Sequence, residues 1–123
     1  MRGAILVTIG GGAGALCRYL LQLAIIGRFG AGILALFAIN VSGAFALGLV
    51  NALAERHTTL TPEVRLLLTT GFLGGYTTFS SWMYESFGLI VAGNFARAAV
   101  NVVGSALVGL IAVALGVALG RAM

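Results

Sequence analysis

Residues 71–82, G71-F-L-G-G-Y-T-T-F-S-S-W82, combine features that a membrane helix ought to keep apart. The surrounding run is apolar enough to cross a bilayer, yet this stretch holds adjacent glycines and four Ser/Thr hydroxyls. Glycine costs a helix about 1 kcal/mol relative to alanine, and a hydroxyl in lipid needs a hydrogen-bond partner. Non-helical backbone at membrane depth survives only where protein buries it or where it lines an aqueous cavity. Gly74-Gly75 therefore predicts a break in a membrane helix. Carbonyl oxygens released there can coordinate a cation, while Thr78, Ser80 and Ser81 supply hydroxyl donors. Phe79 and Trp82 are three residues apart and share a helical face, where their electropositive ring edges can meet an anion. An ion path explains this combination better than packing alone.

The rest of the composition requires lipid as the solvent. The chain has 123 residues, 60% of them hydrophobic and 8% charged. A single domain of that size has too little interior to hide so much apolar surface from water. The 19 glycines suit close helix packing in membranes. The net charge of +4 comes from seven arginines with no lysine. They are scattered singly, which argues against nucleic acid and for anchoring at lipid headgroups. Cys17 is the only cysteine, so it can form no internal disulfide and reads as a small buried apolar residue. The N-terminal run leads into Arg18-Tyr19 rather than a small-residue cleavage site, so no cleavable signal peptide is expected.

Four apolar blocks are each long enough to cross a ~30 Å hydrocarbon core. They cover about residues 3–26, 31–53, 62–92 and 98–120. G27-R-F-G30 reads as an interface turn, and E55-R-H-T-T-L-T61 is the one plainly polar loop. In the third block Thr61 is a suitable N-cap, Pro62 fits the first helical position and Glu63 complements the helix dipole. As one straight helix that block would be ~46 Å long, which again calls for an interruption near 74–77. Arg2, Arg56, Arg65 and Arg121 lie towards one side and Arg28 and Arg97 towards the other. So small a bias leaves two readings: one weakly determined topology, or insertion both ways with head-to-tail pairing. An antiparallel homodimer would supply the inverted symmetry that four helices are too few to contain.

Several polar residues lie within the apolar blocks. Arg18 must snorkel to an interface, pair with a carboxylate, or sit beside a water-filled vestibule where it attracts anions. Asn40 is either interhelical glue or part of a polar pathway. Asn101 and Ser105 are four apart and stack on one helical face. Gly10 and Gly14 have small-xxx-small spacing and predict a packing face rather than a phosphate loop, since no G-K-[ST] follows.

The motifs G-x-G-A-x-x-R-Y at 12–19, N-x-x-G at 40–43 and G-F-x-G-G-x-T-T-F-S at 71–80 follow in order. With them the chain resembles the Fluc (CrcB) fluoride channels over essentially its whole length. The resemblance implies an all-α, dual-topology antiparallel homodimer in the bacterial inner membrane, with two separate fluoride pores. It also implies a central sodium ion held by backbone carbonyls of the broken third helix, here Gly74 and Thr77. The family's first pore phenylalanine falls on Phe79 and its vestibule asparagine on Asn40. Arg18 falls on the motif arginine, whose charge would draw anions to the pore mouth. Ser80 and Ser81 fall on hydroxyl positions beside the pore, Ser105 on the fourth-helix polar track, and Glu85 on a frequent glutamate. Two positions depart from the pattern. Trp82 replaces the usual second phenylalanine and adds an indole N–H, and Asn101 stands where many relatives carry tyrosine. One half of a two-gene heterodimer is the alternative assembly.

Passive, fluoride-selective conduction is thus the expected function, with no enzyme chemistry. There is no Ser-His-Asp set or paired carboxylate site, and His57 reads as a solvated loop residue. A proton-coupled small multidrug-type exporter would need a membrane-embedded acid, where the first block has arginine instead. A non-transporting assembly subunit would explain the glycine faces, including Gly116 with Gly120, but not the break.

Overall fold

The computed structural model describes residues 1–56 and 60–123, and His57 lies outside them. Helix α1 runs Arg2–Phe29 and stops where Gly30 turns left-handed (φ 66°), its N–H bonding to the Ile26 carbonyl at 2.7 Å. Glycine takes that conformation without a Cβ clash, which makes it the usual terminator. Helix α2 (Gly32–Arg56) returns alongside. Helix α3 covers residues 62–76, with α-helical turns at Pro62–Leu66 and Gly74–Tyr76 flanking a wider π-helical stretch at Leu67–Leu73. The Thr61 hydroxyl caps it by accepting from the Val64 N–H at 3.3 Å.

Thr77 and Thr78 are extended (φ/ψ −80°/157° and −147°/121°), and helix α4 then runs Phe79–Val91. It closes at Gly93 (φ 75°) with paired bonds from Gly93 N to Ile90 O and from Asn94 N to Leu89 O, a Schellman motif. Helix α5 (Phe95–Ala122) carries a second π-helical stretch at Val100–Gly104. Helices α1, α2 and α5, of 28, 25 and 28 residues, are each long and apolar enough to span a membrane. At 1.5 Å per residue the 13-residue α4 covers only about 20 Å, so α3 and α4 make the third crossing together. The result is an all-helical membrane fold of four crossings with a break in the third.

Close approach between helices is built on glycine. Gly14 packs against α3 so tightly that a methyl there would overlap the Phe72 carbonyl oxygen. A methyl on Gly75 would overlap that of Gly11. The pair Gly74-Gly75, expected to be where the backbone leaves helical geometry, is itself helical, and the chain departs one residue later than Tyr76. Here Gly75 serves proximity to α1 while Gly74 faces outward, and the departure has another cause. At the far end Arg65 donates from Nε and Nη2 to Asn51 Oδ1 (2.9 and 2.7 Å), tying α3 to α2.

The core is small. Ile39, Leu73 and Tyr76 form its centre, with Leu21, Ala46 and Phe72 against it. Among the described residues only Leu36 and Ile39 of the large side chains are almost wholly buried, while rows of Leu, Ile, Val and Phe face outward. A water-soluble chain would not hold its shape with that pattern, whereas lipid or another protein surface satisfies it. Cys17, expected to be buried, is exposed on α1, where its small apolar side chain faces the same non-aqueous surroundings.

Candidate functional site at the helix break

Asn40, in the middle of α2, holds the break open. Its Nδ2 donates to the Thr78 carbonyl (3.0 Å) and its Oδ1 accepts the Thr78 N–H (2.9 Å). The side-chain amide thereby pairs with one residue's main chain as a neighbouring strand would. In a continuous helix the Thr78 N–H would bond to the Gly74 carbonyl four residues earlier. Three residues further on, the Ser81 N–H would bond to the Thr77 carbonyl. It goes instead to the Thr78 hydroxyl at 3.3 Å, which N-caps α4. Both carbonyls assigned to a cation, Gly74 and Thr77, have thus lost their helical donors to side-chain oxygens.

The neighbouring groups are fixed from outside. Arg18 reaches across from α1, and its Nε donates to the Gly75 carbonyl (3.2 Å). Thr77 returns to Leu73 through both its N–H and its hydroxyl, each at 3.0 Å. The Ser42 hydroxyl donates to the Ile39 carbonyl (3.1 Å), so at the 2.9 Å contact with Tyr76 the phenol is the donor. Asn40 and Ser42 therefore grip the chain on either side of Thr77. The roles of Ser42 and Tyr76 were not read from the sequence. The only cue was the two-residue offset in N40-V-S42, which carries meaning once Tyr76 and Thr78 are known to lie opposite.

A cavity of about 480 Å³ opens beside the break, lined by Asn40, Thr77, Thr78, Phe79, Trp82 and Ser105. A smaller one of about 330 Å³ is bordered by Asn40, Gly74 and Thr77. Phe79 and Trp82 meet edge to face, with centroids 5.9 Å apart and planes at 77°. Phe79 is 71% exposed in the single chain. The Ser81 hydroxyl sits behind Thr78, accepting its Oγ–H at 3.0 Å. Ser80 is exposed on the first turn of α4 and lines neither cavity. Glu85 lies outside both as well, its carboxylate close to Gly32 at the start of α2, where a helix dipole favours negative charge. Arg18 also stands outside the cavities, engaged with the main chain. The geometry thus gathers Asn40, Gly74, Thr77, Thr78, Phe79, Trp82 and Ser105, and places Arg18, Ser80, Ser81 and Glu85 around them.

The same residues fall within regions shared with known proteins. Residues 5–117 match the family described as CrcB-like protein, Camphor Resistance (CrcB). A protein of Chlorobaculum tepidum is 48% identical, over 89% of this chain and 87% of its own length. One from Maridesulfovibrio salexigens is 40% identical over 98% and 97%, and one from Solibacter usitatus 44% over 95% and 97%. All three are named fluoride-specific ion channel FluC. With its broken third crossing and with matches running nearly end to end, the chain belongs to the CrcB family.

Proposed function

We propose that this protein is a fluoride channel and not an enzyme. Two copies, inserted antiparallel, enclose two pores, and fluoride leaves the cell passively through them. The observation that carries this is the redirection of the Thr78 and Ser81 N–H groups onto side chains. It leaves main-chain oxygens of Gly74 and Thr77 free in a membrane, a costly state unless something binds them.

A sodium ion fits that donor set, since hard cations take neutral carbonyl oxygen and no cluster of metal-binding acidic, His or Cys side chains occurs among the described residues. Gly74 and Thr77 from each copy would hold it, and its charge would lock the two broken crossings together. Gly74 is exposed in the single chain, as a group shared across a two-fold axis should be. The outward apolar rows give the second copy its surface.

Along each pore the ion sheds water piecemeal. The Asn40 amide, the Ser105 hydroxyl, and the edges of Phe79 and Trp82 replace it with weak donors. Weakness matters, because an ion held by a full positive charge would not leave, and Arg18 is turned to Gly75 instead. The membrane potential supplies ~2.3 kcal/mol per charge per 100 mV, directed outward for an anion in a negative-inside cell. The exporter alternative lacks its essential group, as no carboxylate lines the cavity beside the break.

Purified protein in liposomes should release fluoride under a potassium–valinomycin potential, with chloride passing far more slowly. Equal rates for the two halides would defeat the selective channel.

A further inference from the structure

A second polar arrangement joins α4 to α5 behind the aromatic pair. Ser86, one turn after Trp82 and 3% exposed, donates its hydroxyl to the Trp82 carbonyl (2.8 Å). The same hydroxyl oxygen accepts Nδ2–H of Asn101 (2.9 Å), itself 8% exposed. The Asn101 main-chain carbonyl in turn accepts the indole Nε1–H of Trp82 (3.3 Å). The bonds close a circuit: Trp82 is tied through its main chain to Ser86, through Ser86 to the Asn101 side chain, and through its indole to the Asn101 main chain. Asn101 sits in the π-helical stretch of α5, a local widening of a kind frequent at functional sites.

An indole turns about two side-chain bonds and carries one strong donor. Anchoring that donor to α5 fixes the ring and occupies its N–H. Trp82 then lines the cavity with carbon, held at 77° to Phe79. The Asn40 amide already offers N–H in this cavity, and a second free N–H beside it would bind a small anion far more tightly than C–H edges do, whereas conduction requires that the ion leave. Replacing a plain aromatic ring by indole is harmless to passage only if the N–H is kept occupied.

We propose that Ser86 and the Asn101 amide are positioning residues for Trp82, holding its indole so that the ion path meets ring carbon and never the N–H. This rests on the channel function proposed above. Trp82 is the only tryptophan, so its emission reports on this indole alone. The full-length protein in liposomes is compared with S86A, with the near-isosteric S86C, and with N101L. In the wild type, tryptophan emission should not respond to added fluoride. In each variant the emission should shift and become fluoride-sensitive, with efflux slowed about fivefold, the factor a hydrogen bond of ordinary strength gives. Variants with wild-type emission and no fluoride response, in a background that conducts, would overturn the proposal alone. A wild type that passes no fluoride would overturn the channel function and this inference with it, whatever the spectra show.

Discussion

Asn40→Leu is the most informative single change, because it separates holding the break from touching the ion. Leucine keeps the branching of asparagine at Cγ but removes both bonds to Thr78, at 3.0 and 2.9 Å. At about 1 kcal/mol net for each bond, the extended conformation loses ~2 kcal/mol. The freed Thr78 N–H then has an intrahelical partner within reach, the Gly74 carbonyl. A shift of ~2 kcal/mol moves an equilibrium about 30-fold towards the re-formed helix. Because that helix consumes an oxygen assigned to sodium, two readouts should fall together: fluoride efflux by at least tenfold, and the sodium dependence of dimer stability. Efflux is followed with a fluoride electrode, and dimer content by cross-linking in sodium and in caesium. Loss of efflux from a dimer that stays fully sodium-dependent would refute the clamp and make Asn40 a direct contact of the ion. Unchanged efflux would refute both roles.

Phe79→Ile should abolish flux without dissociating the dimer, since it removes only a ring edge. Normal flux would show that ring edges are not used. Gly75→Ala places a methyl on the Gly11 carbonyl and should cost roughly 1–3 kcal/mol of stability, whereas Gly12→Ala meets nothing and should be neutral. Equal melting temperatures for the two would count against the tight α1–α3 contact. Tyr76→Phe deletes the phenol that donates to Ser42 and should lower thermal stability by about 1 kcal/mol, read as a drop in melting temperature. Replacing sodium by a larger cation should weaken the dimer or silence it, measured by efflux after exchange.

The sequence shows that a break exists but not what holds it. The four crossings follow from apolar length, and Thr61-Pro62 marks a helix start through local chemistry, whereas α1 runs on through most of the turn expected at 27–30 and stops only at Gly30. At 71–82 the glycines point to the right neighbourhood for a reason that the structure replaces. Gly74 and Gly75 stay helical; Gly75 is glycine because α1 leaves no room there for a side chain, while Gly74 meets nothing from α1. The extended residues are the two threonines, which have no intrinsic need to leave helical geometry there. What draws them out is a donor and an acceptor 38 positions earlier in the chain, on Asn40, with Arg18 57 positions before Gly75 covering the next carbonyl. Pattern within a window cannot reveal such partners, because each looks alone like interhelical glue or a snorkelling charge.

Specification from outside has a functional consequence. If glycine flexibility made the break, the freed carbonyls would sample many directions and a bound cation would have to order them itself. With Asn40 pairing Thr78 and Thr78 capping α4, Thr77 is fixed at both sides before any ion arrives. Preorganised oxygens avoid the ordering cost that binding would otherwise carry. The same residue that opens the helix also lines the cavity. Mutations at Asn40 should therefore affect the proposed cation site and the proposed anion path jointly, whereas those at Phe79 should affect only the path.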